Sequence, residues 1–128
     1  MANEKIALLR KNGGVPTVKV TIGQAQWGSF GVYVTTKDGL GWEVERKGHS
    51  WDSVEAEVDL ELSPTQLDGR DVWIDMVITP LVVGDPYAAT IEVRQEGQAV
   101  SGGQLPPYKG VTDRHNFMLS ALVRLLTK

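Results

Sequence analysis

Residues 54–62 alternate without a break between apolar and acidic side chains, and no other stretch restricts the possible folds as strongly. The apolar positions are Val54, Ala56, Val58, Leu60 and Leu62, and the acidic positions are Glu55, Glu57, Asp59 and Glu61. Successive side chains of a β-strand point to opposite faces of a sheet. The spacing therefore predicts a strand with one face in the core and the other in water.

Similar alternation recurs elsewhere, and glycines separate the alternating stretches. The clearest are residues 17–22, 30–44 and 87–94, whereas residues 72–79 are apolar on both faces and are expected to form a central strand. We therefore expect one all-β domain over residues 1–128, built as an antiparallel β-sandwich of about seven or eight strands.

The positions of apolar and acidic side chains predict the strand register of the hairpin around residues 37–39. A two-residue Asp-Gly turn would mix apolar and acidic positions on each face. A three-residue loop with Gly39 in the left-handed conformation keeps the faces separate, and it pairs Val34 with Trp42.

Helical signals occur in two places. Ser63-Pro64-Thr65-Gln66 combines an N-cap, a proline at the first helical position and a capping-box glutamine, which predicts one helical turn. From Phe117 to Leu126 the chain is apolar except at Ser120 and Arg124, which lie four apart as on one helical face. Met, Leu and Ala dominate there, which favours a C-terminal α-helix over about residues 114–127. A terminal strand is the alternative.

Composition excludes several classes of function. Thirteen basic and sixteen acidic residues give a formal net charge of −3, the wrong sign for nucleic-acid binding. The chain has no cysteine, so disulfides and thiolate zinc sites are excluded. The longest apolar run, Ile6 to Leu9, is too short to span a membrane, and no signal peptide is apparent, so we expect a cytoplasmic protein.

Two features could carry catalysis or bind metal. His49 lies in Gly48-His49-Ser50-Trp51-Asp52, but consecutive residues of an extended chain point apart, so a polar loop is the favoured interpretation. The acids of residues 55–61 would lie roughly 7 Å apart along one face. That spacing suits a solvated strand face, with calcium binding or a hydrolase site as alternatives. We predict no enzyme activity, no cofactor and no metal site.

Aromatic residues suggest a binding role. Trp27, Trp51 and Tyr108 fall in predicted loops, whereas Trp42 and Trp73 fall in predicted strands and are expected in the core. Loop rings can stack on sugar faces, and three polar residues near them could supply hydrogen bonds. These are Gln26, His49 and Asp52. A lectin-like module that binds a glycan is therefore one alternative.

The apolar C-terminal segment suggests association. A helix that is apolar nearly all round needs burial on more than one side. The residues expected at such an interface are Phe117, Met118, Leu122, Leu125 and Leu126. The leading hypothesis is a non-catalytic interaction or assembly protein, a homo-oligomer or a binder of another protein, which makes contacts through this helix and through edge strands.

Overall fold

A computed structural model describes residues 5–23, 27–51, 54–79, 82–112 and 116–128, without the side chains of Trp51 and Phe117. These ranges form ten strands and one helix of four residues. The strands are β1 (Lys5–Leu9), β2 (Thr17–Gly23), β3 (Trp27–Thr35), β4 (Trp42–Trp51), β5 (Glu55–Asp59), β6 (Asp71–Thr79), β7 (Pro86–Gln95), β8 (Gln98–Gln104), β9 (Tyr108–Val111) and β10 (Phe117–Thr127), and the helix is α1 (Pro64–Leu67). Within the same ranges no helix has the length and apolar character needed to cross a membrane.

All ten strands belong to one sheet, in the order β4-β3-β6-β10-β1-β8-β7-β2-β5, with β9 paired to β7 beside that path. β1 and β10 run parallel, and the other described neighbours run antiparallel. The end strands β4 and β5 approach each other, so the sheet is nearly closed and barrel-like. The predicted β-sandwich is wrong, because β8 pairs with both β1 and β7 and joins what would otherwise be two sheets.

Two glycines allow β8 to join both halves of the sheet. β8 lies opposite β1 at Ser101 and pairs with β7 at its other edge. Gly102 has φ +73°, and a Cβ atom there would lie 2.1 Å from the carbonyl oxygen of Ile6. A Cβ atom on Gly103 would lie 2.5 Å from the carbonyl oxygen of Val93. Side chains at these positions would keep the three strands apart.

The C-terminal segment is a strand, so the predicted helix over residues 114–127 is also wrong. β10 lies between antiparallel β6 and parallel β1. Ala121, Val123 and Leu125 are buried in the core, while Met118 and Leu122 on the opposite face are exposed. A run that is apolar on both faces suits a strand inside a sheet as well as a helix. Here two neighbouring strands supply the backbone hydrogen bonds.

The core lies between the inward faces of the curved sheet. The apolar positions of the predicted strands at residues 17–22 and 87–94 are buried, as expected. The predicted central strand over residues 72–79 is confirmed, since β6 lies between β3 and β10. β5 is an end strand, and its Ala56 and Val58 are only partly buried.

The capping box at α1 is confirmed. The Ser63 hydroxyl accepts the Gln66 backbone N–H at 3.3 Å, and the Gln66 side-chain oxygen accepts the Ser63 N–H at 2.9 Å. Pro64 occupies the first turn, and its side chain is buried with that of Leu67. This turn leads the chain from the end of the sheet at β5 back towards β6.

The β3–β4 hairpin differs from its predicted register. Gly39 has φ +76°, as expected, but Val34 lies opposite Val44, and Trp42 lies opposite Thr35. A bulge follows Val34, and the Thr36 N–H donates to the Gly41 carbonyl at 2.9 Å, which makes the loop longer than predicted.

The tip of this hairpin also perturbs one carboxyl group. The Thr36 hydroxyl donates to the Asp38 carboxylate at 2.5 Å, and the Leu40 N–H donates to it at 3.0 Å. These bonds favour the ionised form, with the hydroxyl contributing most, and they lower the pKa of Asp38 below its ordinary value of 3.8.

Candidate functional site

A cluster of exposed and half-buried apolar side chains crosses four neighbouring strands on the outside of the sheet. We call Tyr33, Trp42, Trp73 and Leu122 the aromatic face. Tyr33 of β3 lies opposite Trp73 of β6, and Trp73 lies opposite Leu122 of β10. The bulge after Val34 sets Trp42 beside this row. The exposed fractions of Trp42, Trp73 and Leu122 are 51%, 38% and 40%.

The rings of the aromatic face hold one another in place. The ring centroids of Tyr33 and Trp42 are 5.5 Å apart at an interplanar angle of 43°. Those of Trp42 and Trp73 are 6.2 Å apart in an edge-on arrangement at 73°. Such contacts limit the rotamers of each ring, so the rings would lose less side-chain entropy when a partner binds them.

Charges of both signs border the aromatic face. Arg124 of β10 lies opposite Asp71 of β6, and two hydrogen bonds join them, from Nε to Oδ1 at 3.0 Å and from a terminal nitrogen to Oδ2 at 3.3 Å. Ile6 of β1 lies opposite Arg124 and extends the apolar surface. On the next row, the Ser120 hydroxyl donates to Asp75 at 2.9 Å.

A shallow groove runs beside the aromatic face along β3. It consists of two adjoining depressions of about 310 and 240 Å³ that share Ser29 and His49. Gly31 and Tyr33 both line the larger depression. The Tyr33 ring packs over Gly31, and a Cβ atom on residue 31 would come within 2.4 Å of the Tyr33 hydroxyl. Trp27 lines the smaller depression, and Met118 lines the larger.

Two of the predicted binding residues meet in this groove. Trp27 and His49 line the same depression, although both lie in strands and not in loops. Trp51 lies opposite Trp27 in the backbone register. Tyr108 lies in β9, where its hydroxyl donates to the Ser120 carbonyl at 2.9 Å, and it lines neither depression.

The other predicted site residues fall in several places. Gln26 and Asp52 lie outside the described residues, as do the side chains of Trp51 and Phe117. Of the expected interface residues, Met118 and Leu122 face outward, Leu126 is partly buried, and Leu125 is fully buried. The alternation of a strand explains why Leu125 differs from Leu122.

Cations from neighbouring strands pair with the acidic face of residues 55–61. Lys19 lies 3.3 Å from Glu55, and Arg94 lies 3.5 Å from Glu57. Arg46 lies 4.0 Å from Asp59 and 3.4 Å from Glu61. In the part of the chain that is described, no group of three or more acids and histidines could hold a metal ion. Such pairing agrees with the solvated-face interpretation of this strand.

No protein-family model, curated protein or solved structure matches this chain. The predicted core positions of Trp42 and Trp73 are wrong, since both side chains are exposed, and for that reason the sequence does not predict the aromatic face. One sequence signal could have placed Trp73 correctly: in a strand it shares a face with Asp71 and Asp75, whose charges favour water.

Proposed function

We propose that this protein is a non-catalytic assembly module whose copies associate through the aromatic face. The observation that carries the proposal is a preorganised aromatic cluster on three strands, extended by the exposed Leu122 of a fourth. Tryptophan and tyrosine are the residues that contribute most to protein interfaces, and exposed apolar patches of this kind mark interaction sites.

A protein partner suits this surface better than a small molecule does. Trp42, Trp73 and Leu122 line neither depression of the groove, so these side chains form an open surface beside it that a protein partner could cover. A second copy of the chain fits the border of the face, because Asp71 and Arg124 place both charge signs beside it. A two-fold interface needs such self-complementarity.

Sedimentation velocity over a wide range of protein concentrations tests this proposal. We expect the wild-type protein to associate reversibly, and Trp73→Ser to raise the dissociation constant by about 30-fold, the effect of losing a central aromatic contact. Trp27→Ser is the matched control, because Trp27 is similarly exposed at 52% but lies outside the aromatic face. A wild-type monomer at every concentration, or equal effects of the two substitutions, would contradict the proposal.

Glycan binding in the shallow groove is a second candidate. It is supported by the meeting of Trp27 with His49, Ser29 and Thr79 around one depression. An aromatic ring beside polar side chains can stack on a sugar and hydrogen-bond its hydroxyls. The same pair of variants separates the candidates: on a glycan array Trp27→Ser should lose binding and Trp73→Ser should retain it. An array without signal for the folded wild-type protein would remove this candidate.

A further inference from the structure

A bulge in β4 decides which face of the sheet carries Trp42. The register pairs Val44 with Val34 and Trp42 with Thr35. Glu43 is therefore an extra residue without a partner position in β3. In a regular strand Trp42 and Val44 would share a face, because they are two residues apart. Val44 is only 4% exposed, whereas Trp42 is 51% exposed, so the extra residue moves Trp42 from the core side to the aromatic face.

The side chain of Arg70 binds both strands at this bulge. Its Nη1 donates to the Glu43 carboxylate at 2.5 Å and to the Thr35 carbonyl oxygen at 3.3 Å. Thr35 is held a second time through its hydroxyl, which accepts the Asp71 N–H at 3.2 Å. One terminal nitrogen thus joins the extra residue of β4 to the residue of β3 that lies opposite Trp42.

The backbone of Arg70 is fixed by elements outside the hairpin. Its N–H donates to the Leu67 carbonyl of α1 at 3.0 Å, and its carbonyl accepts the Leu125 N–H of β10 at 2.9 Å. The arginine side chain therefore reaches the bulge from a point that α1 and β10 hold in place. The bulge is thus anchored to a second part of the chain and not only to its own hairpin.

Burial of Arg70 has a desolvation cost that its own hydrogen bonds offset only in part. The side chain is 5% exposed, and among the described residues its Nε has no hydrogen-bond partner. A buried ion pair contributes little net stability, and an apolar residue of similar volume is often tolerated in its place. Glu43 is 43% exposed, so water can solvate its carboxylate when the arginine is removed. The geometry of the bulge therefore accounts for a buried arginine better than stability does.

We infer that Arg70 is a positioning residue of the aromatic face, which holds the bulge and thereby orients Trp42. The inference rests on the proposed self-association, because it names the residue that prepares the same surface for a partner. Trp42 contacts both Tyr33 and Trp73, so a displaced Trp42 leaves the other two rings without their common neighbour. A ring that must be ordered during association lowers the affinity.

Arg70→Met tests the inference, with Arg70→Lys as the conservative variant. Methionine fills the site without a hydrogen-bond donor, and we expect it to raise the dissociation constant measured by sedimentation velocity about tenfold, the effect of ordering one further side chain. Both bonds to the bulge come from one terminal nitrogen, and lysine also supplies one charged nitrogen, so Arg70→Lys should recover most of the affinity. If Arg70→Lys associates as weakly as Arg70→Met, the bonds of this nitrogen do not position Trp42 and the inference is wrong.

Arg94→Met is the matched control. Arg94 of β7 also lies beside a glutamate, 3.5 Å from Glu57, and its side chain is 20% exposed. Among the described residues its Nε likewise lacks a hydrogen-bond partner. β7 adjoins none of the four strands of the aromatic face in the sheet order. The substitution changes the net charge as Arg70→Met does and should leave the dissociation constant near the wild-type value. Equal effects of the two methionine variants would overturn the inference.

Nuclear Overhauser spectra of the dissociated protein report the position of the ring itself. The ring centroids of Tyr33 and Trp42 are 5.5 Å apart, so cross-peaks between their ring protons are expected in the wild type. These cross-peaks should persist in Arg94→Met and weaken or vanish in Arg70→Met, while the amide signals of β1 and β7 remain those of the folded protein. Undiminished cross-peaks in Arg70→Met would overturn the inference. A wild-type monomer at every concentration would contradict the proposed function alone, and the cross-peaks would still decide whether Arg70 positions Trp42.

Discussion

The buried amide of Gln95 shows how one side chain can fix a turn that has no regular structure. Its side-chain oxygen accepts the Arg10 N–H at 2.7 Å, and its nitrogen donates to the carbonyls of Arg10 and Gly14 at 3.1 and 3.0 Å. Gln95 is only 1% exposed, so these bonds are largely shielded from water. The turn that connects β1 to β2 therefore depends on a residue of β7 that is more than 80 positions away.

Gln95→Ala should lower the free energy of unfolding by about 2 kcal/mol, because it leaves three backbone groups of the turn without their partner. Gln98→Ala is the matched control: Gln98 lies exposed in the same β7–β8 hairpin and should change stability by less than about 0.5 kcal/mol. Urea denaturation measures both variants. Equal effects would show that the buried amide bonds contribute little.

At the level of strands, the sequence predicted those elements whose pattern allows one interpretation. The acidic alternation of residues 54–62 and the capping box at Ser63 each favour one local structure. The capping box is present, and the strand is present over Glu55–Asp59 but does not reach residue 62. The C-terminal segment has two. Residues four apart, such as Ser120 and Arg124, share a face in a helix and also in a strand, so their spacing did not distinguish them. Their partners Asp75 and Asp71, on another strand, resolve the ambiguity only in the folded chain.

The candidate site was predictable in the same partial way. Trp27 and His49 were selected as polar-flanked binding residues, and they meet in one groove. The aromatic face forms only because β4, β3, β6 and β10 are neighbours in the sheet. This strand order is set by pairings between distant parts of the chain. Periodicity can assign Trp73 to an outward position, but it cannot say which rings on other strands will lie beside it.

Gly102→Ala tests the joint between the two halves of the sheet. Residue 102 has a left-handed backbone at φ +73°, and a Cβ atom there would lie 2.1 Å from the Ile6 carbonyl oxygen. The substitution should therefore lower the free energy of unfolding by about 2 kcal/mol or more. Gly41→Ala is the control, since the nearest atom to its Cβ would be 4.0 Å away. Thermal and urea unfolding report the difference. If both alanine variants were equally stable, β8 would not need glycine at this joint.

For the molecule as a whole, the sheet is nearly closed through side chains at the seam between its end strands. Ser50 of β4 is fully buried, and its hydroxyl accepts the Ile22 N–H of β2 at 2.8 Å. The same hydroxyl donates to the carbonyl of Val54, just before β5, at 2.6 Å. Arg46 crosses the seam further along through its ion pairs with Asp59 and Glu61. A single buried hydroxyl of β4 thus connects this strand with β2 and with the residue that precedes β5.

Ser50→Ala should therefore loosen the seam without disturbing the rest of the sheet. Loss of the hydroxyl leaves the buried Ile22 N–H without its acceptor, which should lower the free energy of unfolding by about 2 kcal/mol. Hydrogen exchange at the Ile22 amide should accelerate more than exchange at amides of β6, because the opening is local to the seam. Ser101→Ala, at an exposed position of β8, should leave both measurements near the wild-type values. Unchanged exchange at Ile22 in Ser50→Ala would mean that the end strands are held together by the ion pairs of Arg46 instead.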